Sequence, residues 1–303
     1  VHICMVDTGI DIAHPDFSNL TLAGFRDFYE GEHDLVRDVG EDSHGTMMAG
    51  LLVANGKFYG AAPGVDLSVA LALGPSGTSG QEDRVAQAIR WCRITQKADI
   101  VSLSLGSDPG DGMGIQSETV LAVQEALDAG IFVVAAAGNT GYDTSISDVS
   151  VPANLRGVIA VGASTYGGSV WSNSANGSLL DPYSQENRSY PNQKPEVLAP
   201  GILLFSTTST QIEPPYAYST GTSDSTVLVS GALALILELH GTALAGDDGM
   251  IDSEEMEIVK RTLASSCDKT AISGSPHDVK GGYGILDAVQ WASDIAFELN
   301  IAD

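Results

Sequence analysis

Lysine is scarce in this chain, cysteine scarcer, and no apolar stretch is long. Only six of the fourteen basic residues are Lys, against 39 acidic ones, and the formal net charge is −25. A surface of that sign repels nucleic acid and anionic membranes, so both are excluded as partners. It suits high salt, where screening relieves self-repulsion, and it equally suits an ordinary acidic secreted protein. Cys4, Cys92 and Cys267 are odd in number, far apart and without a CxxC spacing. That argues against a disulfide framework, although one pair could bridge, and it leaves the redox compartment open. The longest apolar run, Val227 to Leu239, is interrupted by Ser230 and Glu238. A bilayer needs about 20 apolar residues, so this run reads as a buried helix and no membrane span is expected. There is no internal repeat, no convincing linker and no visible secretory leader. Val1 starts almost inside a core strand with no initiator Met, so the expectation is a trimmed sequence, with a removed leader or propeptide left open.

What is present is a core. Hydrophobic residues make up 43% of 303, and mean hydropathy is +0.08. Candidate strands are 3–6, 67–71, 100–103, 131–136 and 158–161, several of them nearly continuous Val, Ile and Ala. Such runs suit strands covered on both faces. Candidate helices are 44–55, 81–95, 117–129, 223–239, 253–264 and 286–298. Strands alternating with helices predict an α/β fold with a mostly parallel sheet, and one domain over 1–303 is the simplest organisation. The loops 74–80, 106–116, 138–150 and 164–195 are rich in Gly, Ser and Asp, the last reading as an insertion or binding loop.

Three short strings sit where elements begin or end: Asp7-Thr8-Gly9 after the first strand, His44-Gly45-Thr46 opening a helix, and Gly221-Thr222-Ser223 opening another. They supply one carboxylate, one imidazole and one hydroxyl. A serine hydroxyl is a poor nucleophile alone. It needs a base, and the base needs a carboxylate to fix its tautomer and stabilise its cation. A fourth string, Ala137-Gly138-Asn139 at the mouth of a buried strand, offers an amide donor for a developing oxyanion. Taken singly, each string is more often a turn, a cap or a strand end. Their joint occurrence makes that explanation improbable.

The chain resembles the subtilase family, the subtilisin-like serine proteases, essentially from end to end. Val6-Asp7-Thr8-Gly9-Ile10 with His14-Pro15-Asp16, and His44 through Gly50, are similar to the aspartate and histidine motifs. Gly60-Ala61-Ala62-Pro63, Ser102 through Gly106, Val151-Pro152-Ala153 and Val158 through Ala163 follow in family order. Lys194 through Gly201 and Gly282 through Ala288 resemble the later motifs. The resemblance implies a three-layer subtilisin-like fold, helices on both faces of the sheet, and serine endopeptidase activity without an organic cofactor. It implies Ser223 as nucleophile, His44 as base and then acid, Asp7 as the orienting carboxylate, and Asn139 with the Ser223 N–H as oxyanion hole. Ser104, Leu105 and Gly106 would pair with an extended polypeptide substrate, with Thr78, Ser79 and Gly80 on the opposite side; such pairing reads backbone more than side chains. Family habit implies a secreted location.

The departures matter. The residues after Ser223 are Asp224-Ser225-Thr226-Val227, where the family usually has Met-Ala-Thr/Ser-Pro. Asp224 reads first as a favourable charge at a helix N-terminus, and otherwise as a group that raises the His44 pKa or alters leaving-group preference. Glu41 and Asp42 read as a solvated acidic loop. Structural calcium is open: Asp16 matches a ligand position of the family, but residues 50–60 are short for its calcium loop. Asp248 to Glu255 resembles half an EF-hand, and Asp252 with Glu255 reads better as a capping box. Two alternatives stay on the page: a binding or structural protein of subtilase fold with lost or incidental activity, and a related acyl hydrolase or peptide ligase. If His44 acts as base, the rate should rise through about pH 6.5.

Overall fold

Strands that carry no polar alternation have to be covered on both faces, and the apolar runs of this chain fill the middle of a parallel sheet. The computed structural model describes residues 1–78, 81–109, 117–246 and 249–301. Strands β1 (His2–Asp7), β2 (Gly24–Asp27), β3 (Asp66–Leu71), β4 (Ile100–Leu103), β5 (Phe132–Ala136), β6 (Ile159–Ser164) and β7 (Val197–Pro200) form it. Their order is β2-β3-β1-β4-β5-β6-β7, and every neighbouring pair is parallel. A separate antiparallel hairpin joins β8 (Leu204–Thr207) to β9 (Tyr216–Ser219).

The helices are α1 (His44–Val53), α2 (Glu82–Trp91), α3 (Glu118–Leu127), α4 (Thr222–Leu244), α5 (Ser253–Ser266) and α6 (Ala288–Glu298). α2 packs on α3, with α3 against β5; α4 lies against β4, β5, β6 and β7 and against α1. The sheet thus has helices on both faces. α4 runs for 23 residues, longer than the apolar run suggested, and among the described residues it alone is long and apolar enough to cross a membrane. Its place is the core: Val227, Val229, Leu233 and Ile236 are buried in it.

From β1 the chain crosses to the edge strand β2 and returns to β3 between them on one side, then winds outward from β4 to β7 on the other. The reversal falls between β1 and β4, and the crevice beyond the carboxyl ends of the strands there is where such sheets bind ligands. Cys4 of β1 is bonded to Cys92 just after α2, across a separation of 88 residues; Cys267 is free and buried. One pair therefore bridges. Closing a loop of that length stabilises by about 4–5 kcal/mol on chain entropy alone.

Two buried charge groups tie down segments whose composition reads as loop. Arg188 spans Asp148 with two bonds of 2.8 Å and also donates to the carbonyls of Asn154 and Ser178. Segment 164–195 is therefore anchored rather than loose. Nearby, Lys194 Nζ and Lys260 Nζ each lie 2.8 Å from Glu196 Oε1, and Glu196 Oε2 accepts from the Ala160 N–H. Lys194 also donates to Val158 O at 2.6 Å, and Lys260 to Arg156 O at 2.6 Å and Asn192 Oδ1 at 2.7 Å.

Candidate active site

Asp7 is the last residue of β1 and is fully buried. Its Oδ1 accepts from the Thr8 N–H at 2.7 Å and sits 2.7 Å from His44 Nδ1. His44 is the first residue of α1. The residue before it, Ser43, has φ 58 and offers no side-chain cap. Asp38 caps instead: its Oδ2 accepts from Thr46 N at 2.8 Å and Thr46 Oγ1 at 2.6 Å, and its Oδ1 from Thr8 Oγ1 at 2.7 Å and Gly40 N at 2.8 Å. The Gly45 N–H donates to Thr8 Oγ1 at 2.9 Å, and a Cβ on Gly45 would stand 2.1 Å from Gly9 O. Only glycine lets the helix end meet the strand end this closely. Asp38 thus stitches the aspartate string to the histidine string. Sequence reasoning missed it, because nothing in its local pattern points to two partners on different elements.

Ser223 is the second residue of α4 and half-buried. Its Oγ donates to Ser104 O at 3.2 Å, while Ser104 Oγ donates to Ser223 O at 3.0 Å. The hydroxyl is thus committed to a carbonyl at the end of β4. Asn139 Oδ1 accepts from both Thr222 N and Thr222 Oγ1 at 3.0 Å, so its Nδ2 is turned toward Gly221. Thr222 is a second missed residue; the signal available was its place inside Gly221-Thr222-Ser223. Thr78, Ser104, Leu105, Gly106, Asn139 and Ser223 all line one cleft of about 540 Å³. Ser79 and Gly80, also expected there, lie outside the described residues. Asp7 and His44 form one hydrogen-bonded group; Ser223, Ser104, Thr222 and Asn139 form another. Asp224 links the two, sitting beside Ser223 and acting electrostatically on His44.

Charge decides what this arrangement can do. Burial pulls the His44 pKa down, but the charge and hydrogen bond of Asp7 outweigh it, with Asp42 and Asp224 adding, and the imidazole is raised to about 9. Burial lifts Asp224 to about 6 against a hydrogen bond from Ser219 and the pull of His44. Asp224 is 1% exposed and its Oδ1 has no hydrogen-bond partner among the described residues; the same holds for Asp7 Oδ2. Asp224, read from the sequence as a helix cap or as a group that raises the His44 pKa, is a buried carboxyl whose charge does raise it. The carboxylates around His44 hold its imidazole well above the 6.5 of a free histidine.

Asp16 Oδ1 receives Lys57 N–H and Tyr216 O–H at 3.0 Å each, and the Lys57 ammonium lies 4.2 Å from the Tyr216 ring. The buried Asp16 Oδ2 has no hydrogen-bond partner among the described residues. Asp252 and Glu255 make the capping box of α5, with Glu255 Oε2 accepting from Asp252 N at 3.0 Å. Asp248 lies outside the described residues, among which no cluster of His, Cys, Asp and Glu could hold a metal ion.

A hydroxyl at a helix start with an anchored amide in one cleft, and an imidazole tied to a buried carboxylate, are the parts a serine hydrolase needs. The subtilase family model matches residues 1–284, and the chain belongs to that family. It is a serine-type endopeptidase, a hydrolase. It is 32% identical over 277 residues to the Major intracellular serine protease of Bacillus subtilis (strain 168), covering 89% of this chain and 78% of that protein. It is 33% identical over 304 residues to the Intracellular serine protease of Paenibacillus polymyxa, covering 97% and 82%. Subtilisin E of Bacillus subtilis (strain 168) is 35% identical over 245 residues, 80% of this chain but 56% of that protein's length. The solved structure of the prenylagaramide maturation protease PagA superposes with a TM-score of 0.71 at 21% identity, covering 97% of this chain and 93% of that one; at this identity the likeness concerns the fold.

Proposed function

We propose that this chain cleaves polypeptides through an acyl-enzyme on Ser223, with His44 as general base and then acid, Asp7 as the orienting carboxylate, and Asn139 Nδ2 with the Ser223 N–H as oxyanion hole. The observation that carries the reading is the 2.7 Å contact between His44 Nδ1 and Asp7 Oδ1, made across 37 residues, beside which Ser223 and Asn139 line one cleft of their own. That contact fixes the tautomer with Nε2 free to take a proton. Ser223 Oγ turns from Ser104 O toward His44 Nε2 as the scissile carbonyl arrives. Ser104, Leu105 and Gly106 pair with an extended substrate backbone on one wall of the cleft, with Thr78 on the other, so side-chain selectivity is broad. No organic cofactor enters this chemistry. Residues 1–303 act as one peptidase domain, supported by the family match over 1–284. The Cys4–Cys92 bond supports maturation in an oxidising, extracytoplasmic compartment, although two relatives carry the word intracellular in their names.

A fluorophosphonate probe should label the protein once, at Ser223, and a fluorogenic peptide should be hydrolysed. Ser223→Ala should abolish labelling and lower kcat by about 10⁶, a magnitude measured on a subtilisin and carried over to this chain. A folded parent that takes no label and cleaves no peptide would favour the binding or structural alternative. Peptide bonds formed rather than broken would favour a ligase.

A further inference from the structure

Gly221 leaves a small space open beside the nucleophile. A carbon placed at its Cβ position would lie 3.4 Å from Asn139 Nδ2, 3.5 Å from Asp224 Oδ2 and 3.6 Å from Ser223 N. Two of these atoms are the donors assigned to the oxyanion hole. Asn139 is held in its donating orientation by the two bonds from Thr222. The third is a carboxyl oxygen. Ionised, it would repel the oxyanion that the other two attract. Protonated, it would be one more donor.

The surroundings raise the proton affinity of Asp224 and bring the neutral acid within reach. Asp224 is almost fully buried and its Oδ1 has no hydrogen-bond partner among the described residues. A carboxylate so placed lacks water and has few donors to hold it ionised, namely Ser219 and its own backbone N–H. The groups that face it are Ser219 from β9 and His44 from α1. The charged groups that act on His44 are Asp7 from β1, Asp42 from the turn before α1, and Asp224 from α4.

We propose that Asp224 is a third hydrogen-bond donor to the oxyanion, working as the neutral acid, and that it shares a single proton with His44. This rests on the serine protease reading of the same site. In the resting pair the proton sits on His44 and Asp224 is ionised. In the productive pair it sits on Asp224 and His44 is neutral. The two differ only in where one proton lies. From the productive pair, Ser223 Oγ bonds to the carbonyl carbon, its proton passes to His44 Nε2, and the C=O pair becomes the oxyanion. Asn139 Nδ2–H, Ser223 N–H and Asp224 O–H receive it. Collapse breaks the C–N bond, and His44 returns its proton to the leaving nitrogen. Asp224 ends the step as it began. With the two groups at about 6 and about 9, the one-proton pair fills the window between them. Those limits belong to the pair and not to either residue.

The test compares the parent, Asp224→Asn and Asp224→Ala, with Ser223→Ala as blank and thermal melting as the check on folding. Two readouts are taken: kcat/KM on a fluorogenic peptide from about pH 5 to about pH 10, and NMR titration of the His44 imidazole without substrate. The parent should give a bell with limbs near 6 and 9. Asp224→Asn, a permanently neutral donor, should lose the alkaline limb, and its His44 titration should fall by about one unit or more. Asp224→Ala should show the same titration shift, yet fall about tenfold or more below Asp224→Asn in kcat, because the donor is gone. A parent profile with a single rising limb, an alkaline limb that survives in Asp224→Asn, or equal kcat in the Asn and Ala variants overturns the proposal while leaving the protease reading intact. A parent that cleaves nothing overturns that reading and the donor role with it; the His44 titration then decides the shared proton separately.

Discussion

Two buried charge clusters in this protein are mirror images of each other. The knot under β6 and β7 has two ammonium groups and one carboxylate: Lys194, Lys260 and Glu196. The site has two carboxylates and one imidazole: Asp7, Asp224 and His44. Burial opposes net charge in both, so each relieves it by moving a proton in the opposite direction. Desolvation lowers Lys194 to about 7, so the knot sheds a proton near neutrality. Desolvation lifts Asp224 to about 6 and Asp7 holds His44 up at about 9, so the site keeps one. The clusters differ in completeness. Lys194 and Lys260 spend their donors on Val158 O, Arg156 O, Asn192 Oδ1 and Glu196. The site leaves Asp7 Oδ2 and Asp224 Oδ1 without partners among the described residues. A saturated cluster holds a fold together. An unsaturated one keeps acceptors and protons in reserve for chemistry.

The comparison breaks if the knot can be dismantled at no cost. Glu196→Gln strands two lysines and should destabilise by about 3–5 kcal/mol, read as a lower urea midpoint at neutral pH. It should leave the limbs of the pH profile where they are. The site should behave in the opposite way. Asn139→Ala should lower kcat by about 10²–10³, again a magnitude known from a subtilisin, with little change in the urea midpoint. The smallest effect is the sharpest. Asp224→Asn should stabilise the fold by about 1 kcal/mol at pH 7, since an ionised buried carboxyl no longer has to be accommodated. The sign follows from the raised pKa: the cost is absent below pH 3.8, grows as pH rises through about 6, and is constant above. His44 works against it. Its stabilisation is full below 6.5 and fades as pH rises through about 9, and losing Asp224 removes part of that. Melting curves of parent and variant should therefore converge near pH 3.5 and separate by pH 7.

The sequence carried the central strands plainly, because both-face burial leaves an apolar run with nothing to confuse it. β1, β3, β4, β5 and β6 were legible for that reason. β2 was not, since an edge strand with Arg26 exposed breaks the run. β8 and β9 were not, since their Ser, Thr and Tyr residues pair in a hairpin outside the main sheet. α4 ran past its last strongly apolar stretch to Leu244 because tertiary packing extended it. At the site, Asp7, His44, Asn139 and Ser223 stand in motifs that the sequence alone displays. Asp38, Thr222 and the buried state of Asp224 could not, because each depends on which element lies across from it. The Cys4–Cys92 bond was hidden likewise: only the pairing of β1 with its neighbours brings the end of α2 to it. Lys260 gave no sign of meeting Glu196, 64 residues away.

Asp38 grips Thr8 on one side and Thr46 on the other, and so turns the carboxylate loop and the imidazole helix into a single rigid body. Ser223 rides on another element, the long core helix, which packs against the imidazole helix and is tied to Ser104. The spacing of Asp7 to His44 is thus fixed inside one knot of hydrogen bonds, while the approach of Ser223 to them is set by how two helices lean on each other.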